Sequence, residues 1–250
     1  MTTQNPIVFI LSWERPLYLW ACLDSLYTST QVPCRFVLMD NASQDPLVDR
    51  VIRSFEARGM FHKVHRRTDN SPHALAETLD AHKSEVGDYF GFVESDVTVL
   101  RSRPCWLEEF QQLTAADPSI AMLGSLIDQV DFIDPAWVAQ RFPELDEDQL
   151  KFFTKSSSKE RTLLDEYPER TTDAITPPGR LTFLRREAVE RTGILPDFRL
   201  AHTLRDMGYK AVIATRVRHR HLSLANIFDY PEYERDNRNK FFARLVREKR

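Results

Sequence analysis

Two carboxylates one residue apart, Glu94 and Asp96, interrupt an otherwise apolar run: Tyr89-Phe90-Gly91-Phe92-Val93-Glu94-Ser95-Asp96-Val97-Thr98-Val99. Such a run reads as a buried strand, and a buried strand does not carry acids for solubility. Residues two apart on an extended chain project from one face. Carboxylates so placed repel unless something positive lies between them. A divalent cation with an anionic ligand suits that place, because hard cations take carboxylate oxygens and keep positions open for phosphate. The plain alternative is a strand that ends at Val93, with Glu94 and Asp96 in a solvated turn.

Two further polar clusters follow apolar runs of strand length. Ile7-Val8-Phe9-Ile10-Leu11 leads to Ser12-Trp13-Glu14-Arg15, and Arg35-Phe36-Val37-Leu38-Met39 leads to Asp40-Asn41-Ala42-Ser43. Helical spacing separates the runs: Leu17, Trp20, Leu23 and Leu26 after Pro16, then Val48, Val51, Ile52 and Phe55 after Pro46. Phe61 to His65 reads as a strand, His73 to Lys83 as a helix and Tyr89 to Val93 as a strand. Alternation of this kind predicts an α/β fold with a parallel sheet flanked by helices. Ligands of such sheets bind at the carboxyl ends of the strands, where all three clusters fall. Asp40 or Ser43 also suits the cap of the helix that follows, Ser43 above all.

Farther along, Trp106 to Ala115 reads as a helix and Ile120 to Gly124 as a strand, after which the alternation fails. Residues 128–148 hold seven acids and one base, followed by the polar stretch 154–159. That region is expected to be a partly mobile insertion over the sheet edge. A strand is expected at Arg180 to Leu184, a helix at Arg185 to Arg191, a helix end near Gly208 and a late strand at Ala211 to Ala214. Arg218-His219-Arg220-His221 then follows the late strand.

Composition narrows the function classes. A net charge of −3 argues against a binder of nucleic acid driven by phosphate neutralisation. Three cysteines without CxxC spacing suggest free thiols in a reducing compartment. The polar N-terminus and the absence of a long apolar run make a cytoplasmic protein the expectation. Neither a P-loop nor GxGxxG is present, which weakens ATPase and dehydrogenase readings.

In this order the pieces resemble the nucleotide-sugar-dependent glycosyltransferases of the GT-A fold, especially the large inverting family 2, across about 200 residues. The resemblance implies a Rossmann-like, mixed but mostly parallel sheet in one continuous domain. Residues 1–125 would be its nucleotide-sugar-binding half, and 126–250 its acceptor-binding half with insertion and tail. Ser12, Trp13, Glu14 and Arg15 resemble the turn around the nucleotide base, with Glu14 where Asn is commoner. Asp40 and Asn41 match the family's Asp-(Asp/Asn) pair, which implies that Asp40 accepts hydrogen bonds from base or ribose.

Glu94-Ser95-Asp96 stands at the Asp-x-Asp motif, so Asp96 would ligate the metal with Glu94 supporting it and Ser95 at the donor. His221, followed by Leu-Ser, resembles the late His that completes the metal site, and Arg218 and Arg220 could pair with phosphate oxygens. The family's Ala-x-Asn helix lacks its Asn, and His73 or Asn70 would cover that part of the nucleotide. Gly179 to Glu187 resembles the strand and helix start lining the acceptor pocket. Asp197, eleven residues before Gly208, matches the general base, although Pro196 and Arg199 replace its acidic neighbours.

The implied activity is Mn2+- or Mg2+-dependent transfer of a sugar from a nucleoside-diphosphate sugar to a hydroxyl of a saccharide or lipid-linked acceptor, with inversion. A retaining glycosyltransferase, a nucleotidyltransferase on the same fold and a non-catalytic nucleotide-sugar-binding module are the alternatives. The tail from Arg238, with six bases and one acid among Phe241, Phe242, Leu245 and Val246, could touch an anionic membrane or pack as a terminal helix.

Overall fold

The computed structural model describes residues 5–156, 169–173, 177–193 and 197–225. The expectations for the tail from Arg238, for Pro196 and for residues 157–159 fall outside this set, as does the Asp197 side chain. The chain divides into two compact units. One draws on Met1–Leu126 and Tyr167–His219, the other on Ile127–Glu166 and Arg220–Arg250.

The first unit opens with strict alternation: β1 (Ile7–Ser12), α1 (Pro16–Ser29), β2 (Arg35–Asp40), α2 (Pro46–Ala57), β3 (Phe61–Arg66), α3 (Ala74–Ala81) and β4 (Tyr89–Glu94). Short β5 (Val97–Val99), α4 (Trp106–Ala116) and β6 (Ile120–Ile127) follow. After the insertion come β7 (Thr171–Thr172), β8 (Leu181–Arg185), α7 (Arg186–Thr192), α8 (Asp197–Asp206) and β9 (Lys210–His221). The strands form one sheet in the order β3-β2-β1-β4-β8-β6-β9-β5, with β7 beside β9. Strands β1 to β4 pair in parallel, whereas β8 runs antiparallel to both β4 and β6.

Along β1 the side chains alternate between two cores. Val8 and Ile10 join Leu19, Cys22 and Leu23 of α1, Ile52 and Phe55 of α2, and Phe110 of α4. Ile7 and Phe9 join Leu75 and Leu79 of α3, Val189 of α7 and Leu204 of α8. A strand covered on both faces has no polar position to spare until it ends, so the polar residues collect at the strand ends. Cα of Gly124 in β6 faces Pro177. A Cβ on residue 124 would lie 2.7 Å from the Pro177 Cβ and 3.3 Å from its Cα. Gly124→Ala is therefore expected to cost about 1–3 kcal/mol by overpacking against a stiff ring. Urea unfolding should show a lower midpoint at unchanged slope.

The acid-rich insertion carries regular structure between Gln129 and Thr154. It holds a 3-10 turn (Gln129–Asp131), α5 (Pro135–Arg141) and α6 (Glu147–Thr154), packed on a small core around Val138 and Phe142. Its acids cap these elements. Asp128 accepts from Val130 N, Asp134 from Ala136 N, and Asp146 forms a capping box with Gln149. The second unit also holds α9 (Leu222–Ala225). No helix among the described residues is long and apolar enough to cross a membrane.

Candidate active site

Parallel register brings the three polar clusters to one line. Ser12 pairs with Asp40, and Leu11 with Glu94. Beyond the strands, Asn41 N donates to Ser12 O at 2.8 Å and Ser95 N to Leu11 O at 3.0 Å. Glu94 N donates to Arg180 O at 2.9 Å, which ties in the residue before β8.

After Ser12 the chain makes a costly turn. Glu14 (φ 53°) and Arg15 (φ 56°) are consecutive non-glycine residues in the left-handed region, a strain of about 1–3 kcal/mol each that persists only when the surroundings over-determine it. They do. Glu14 N donates to Ser43 Oγ at 2.8 Å, and the Glu14 carboxylate accepts from Gln44 N at 2.6 Å and Asp45 N at 3.1 Å. Glu14 thus joins the loop after β1 to the loop after β2, with both oxygens engaged inside the protein. Arg15 lies 3.7 Å from Asp96 Oδ2 and over the Tyr18 ring. Trp13, half-buried, precedes this turn.

Asp40 is buried beneath that link. Its Oδ1 accepts from Ser43 Oγ at 2.6 Å and from Ser43 N at 3.3 Å, with Arg66 4.0 Å from Oδ2. Ser43 is therefore committed to Asp40, and the cap of α2 expected from it is supplied by Asp45, which accepts from Leu47 N at 2.8 Å. Burial pushes the Asp40 carboxyl above the usual carboxylate range, against the opposing pull of Ser43 and Arg66. The folded protein then holds this proton more tightly than the unfolded chain. On this group alone, stability falls as pH rises from the ordinary carboxylate value to the raised one. Asp40→Asn is expected to flatten that dependence and to raise the melting temperature by a few degrees at neutral pH, read by melts across the acidic range.

Asn41 spends its amide on the loop before α3. Nδ2 donates to Asn70 Oδ1 at 2.6 Å and to Ser71 O at 3.1 Å, and Oδ1 accepts from Ser71 N at 3.1 Å. His73 follows at the helix start, its N–H on Ser71 Oγ. Asn41, Asn70, His73, Glu94 and Arg180 supply the polar wall of a cavity of about 830 Å3, and Leu11, Phe92, Met122 and Leu200 supply apolar wall. That volume is within the usual range for a small-molecule site.

Glu94 and Asp96 do not share a face in the way an unbroken strand would impose. β4 ends at Glu94, Ser95 and Asp96 turn, and β5 begins at Val97. Glu94 follows Phe90 and Phe92 on the α3 side and lines the cavity. Asp96 faces Arg15 with its side chain only 13% exposed, so the turn is not a solvated one. Its charge reaches inward, adding to the burial that raises the Cys22 thiol far above its ordinary value.

No family model matches the chain, and no curated protein matches it in sequence. Solved structures do match. A mannosyltransferase from Pyrobaculum calidifontis, in complex with GDP-Man and Mn2+, gives a TM-score of 0.55 over 85% of this chain at 16% identity. GalNAc-T7 with UDP, GalNAc and Mn2+ gives 0.58 over 88% at 17% identity. Glucosyl-3-phosphoglycerate synthase from Mycobacterium tuberculosis, with Mn2+, UDP-Glc and phosphoglyceric acid, gives 0.51 over 85% at 16% identity. This chain spans 58%, 44% and 69% of those three chains, in the same order. The fold is GT-A.

Within the GT-A sheet, the segment expected to follow the late strand is part of it. β9 runs to His221, and its side chains alternate: Val217, His219 and His221 are buried while Arg216, Arg218 and Arg220 are not. Ser125 Oγ meets His219 Nδ1 at 2.7 Å in the first unit. In the second unit, His221 donates its N–H to Asp131 Oδ2 at 2.7 Å, and its Nε2 lies 2.7 Å from Ser223 Oγ. Arg220, expected near phosphate, gives Nε and Nη2 to Asp131 Oδ1 at 3.0 and 2.9 Å. Asp197 is the first residue of α8, one turn before Leu200 of the cavity wall. Sequence reasoning missed Ser71, Met122 and Leu200 as neighbours of the site, since only the packing of α3 and α8 and the place of β6 beside β8 bring them there.

Proposed function

We propose that this chain is a metal-dependent glycosyltransferase that moves a sugar from a nucleoside-diphosphate sugar to an acceptor hydroxyl, with inversion. The observation that carries the reading is the alignment of three strand ends, which sets Ser12, Asp40 and Glu94 along one edge of the sheet, with Asp96 in the turn just after β4. The fold adds weight, because the GT-A structures it resembles were solved with Mn2+ and a nucleotide or nucleotide sugar.

The residues fit a hard cation. Glu94 and Asp96 offer carboxylate oxygens, and the Arg15 guanidinium beside Asp96 shows that the position accommodates positive charge. Asp96 would hold the ion, with Glu94 supporting it. Bound there, a divalent cation would stabilise the charge that grows on the leaving diphosphate. Asp40 accepts hydrogen bonds from the base or ribose, Trp13 stacks on the base, and Ser12, Glu14, Arg15, Asn41, His73 and Ser95 shape the nucleotide's surroundings. Ser12 Oγ is buried without a hydrogen-bond partner among the described residues, a state that is uncommon unless a ligand or water completes it.

The acceptor oxygen bonds to the anomeric carbon as the bond from that carbon to the phosphate oxygen breaks, and the electron pair leaves on the diphosphate. Asp197 takes the hydroxyl proton. Its support is its place as the first residue of α8, one turn before Leu200 of the cavity wall. One displacement on the face opposite the leaving group inverts the anomeric centre.

A thermal-shift panel of UDP-, GDP-, TDP- and CDP-sugars with and without Mn2+ tests the reading. One nucleotide should raise the melting temperature in the presence of Mn2+, by the equivalent of about 2.7 kcal/mol at a hundredfold excess over Kd. No shift with any donor would overturn it.

A further inference from the structure

Away from the strand ends, three histidines and a glutamate meet between β3 and the segment after α3. His62 Nε2 lies 2.9 Å from Glu85 Oε2, and His82 Nδ1 lies 2.9 Å from Glu85 Oε1. His65 Nε2 reaches His82 Nε2 at 2.8 Å. The ligand atoms of His62, His82 and Glu85 all lie within 4.8 Å of one another, with His82 buried and His62 exposed. We propose that His62, His82 and Glu85 form a binding site for a transition-metal ion of the zinc class, separate from the carboxylates at the strand ends.

Backbone irregularity makes the cluster. In a regular strand, residues 62 and 65 would point to opposite faces, being three apart. The β2–β3 register shifts between Phe36, which pairs with Phe61, and Val37, which pairs with Lys63, so His62 is the extra residue of a bulge. Phe61 and Val64 stay with the core beneath α2, while His62 joins His65 at His82. Bulges re-aim side chains in this way and concentrate beside functional sites. The other half comes from a tight turn, in which Glu85 N and Val86 N both donate to His82 O, at 2.8 and 3.0 Å. Arg35 fixes the carboxylate from the far side, with Nη1 3.0 Å from Glu85 Oε2 and Nη2 2.7 Å from its carbonyl.

Donor logic shows how an ion would enter. A carboxylate only accepts, so His62 Nε2 and His82 Nδ1 carry the hydrogens toward Glu85, and His65 donates to His82 Nε2. A change of tautomer that moves those two hydrogens to the other ring nitrogens leaves two ring nitrogens and two carboxylate oxygens converging. Zinc bonds of about 2.0–2.2 Å put tetrahedral ligand atoms roughly 3.3–3.5 Å apart, so contacts of 2.9 Å need to open by only about half an ångström. His82 would then turn its Nε2–H toward His65, which becomes the outer partner that orients a metal-bound imidazole. Two imidazoles with one carboxylate suit Zn2+, Co2+ or Ni2+ better than Mn2+ or Mg2+. Arg35 and Lys63 are the nearby cations working against binding.

The test is a Co2+ titration of the full chain without nucleotide, followed by visible absorption and then by displacement with Zn2+. One equivalent should give the intense bands of low-coordinate Co2+, and Zn2+ should bleach them. His62→Ala and Glu85→Gln should abolish the signal while far-UV dichroism stays unchanged, and His65→Ala should weaken Zn2+ binding roughly 10- to 100-fold. Asp96→Ala should leave the signal intact. No low-coordinate Co2+ band in the wild type, or a band that survives His62→Ala or disappears with Asp96→Ala, would overturn the proposal.

Discussion

Asp96→Ala is expected to lose sugar transfer by at least about 10^3-fold, the several kcal/mol that a metal contributes by stabilising charge on a leaving phosphate. Calorimetry should show that nucleotide affinity no longer responds to Mn2+. Asp96 is a well-shielded carboxylate at the turn between β4 and β5, and its neighbour in the structure is the guanidinium of Arg15. Alanine removes both the proposed oxygen ligand and the counter-charge of that arginine. Asp96→Asn preserves shape and separates the two losses: Asn keeps a hydrogen-bonding oxygen but gives up the charge. A Mn2+-dependent nucleotide affinity unchanged in Asp96→Ala would sink the assignment of Asp96 to the metal.

The second large effect is expected at the head of α8. Asp197→Asn should keep donor affinity and melting temperature yet reduce kcat by roughly 10^2- to 10^4-fold, the usual contribution of a positioned general base. Its pH–rate profile should also lose the acidic limb, because an amide has no proton to give up in that range. Such a split between binding and turnover belongs to a group acting only in the transition state. Near-normal turnover would rule Asp197 out as the base.

Much of the parallel half was legible in the chain because both faces of its strands are covered. Ile7 to Leu11 and Arg35 to Met39 could only be strands between two layers of helices, and a parallel register then sets Ser12, Asp40 and Glu94 side by side. β9 was shortened in the reading because arginine and histidine replace apolar residues from Arg216 onward. The alternation continued, with His219 buried against Ser125 instead of an aliphatic side chain. The acids of the insertion break the strand–helix alternation in the sequence, yet Asp128, Asp134 and Asp146 cap helical turns, and Asp131 accepts from Arg220 and from the His221 backbone. Capping is short-range and was available from spacing; the Asp131 contacts span about ninety residues of chain and were not. Ser43 was a fair candidate to cap α2, but Asp40 and the Glu14 N–H claim its hydroxyl, and that competition exists only once the two loops are adjacent.

The Glu14 link between those loops has a consequence for recognition. Loops that must be ordered by an incoming molecule take the entropy of ordering out of its affinity. In this protein one carboxylate immobilises the backbone on both sides, so that freedom is surrendered when the chain folds. The nucleotide would then meet a cradle already in shape. Loosening it through Glu14→Ala should weaken binding by restoring motion to the free protein, with a more unfavourable binding entropy as its calorimetric mark.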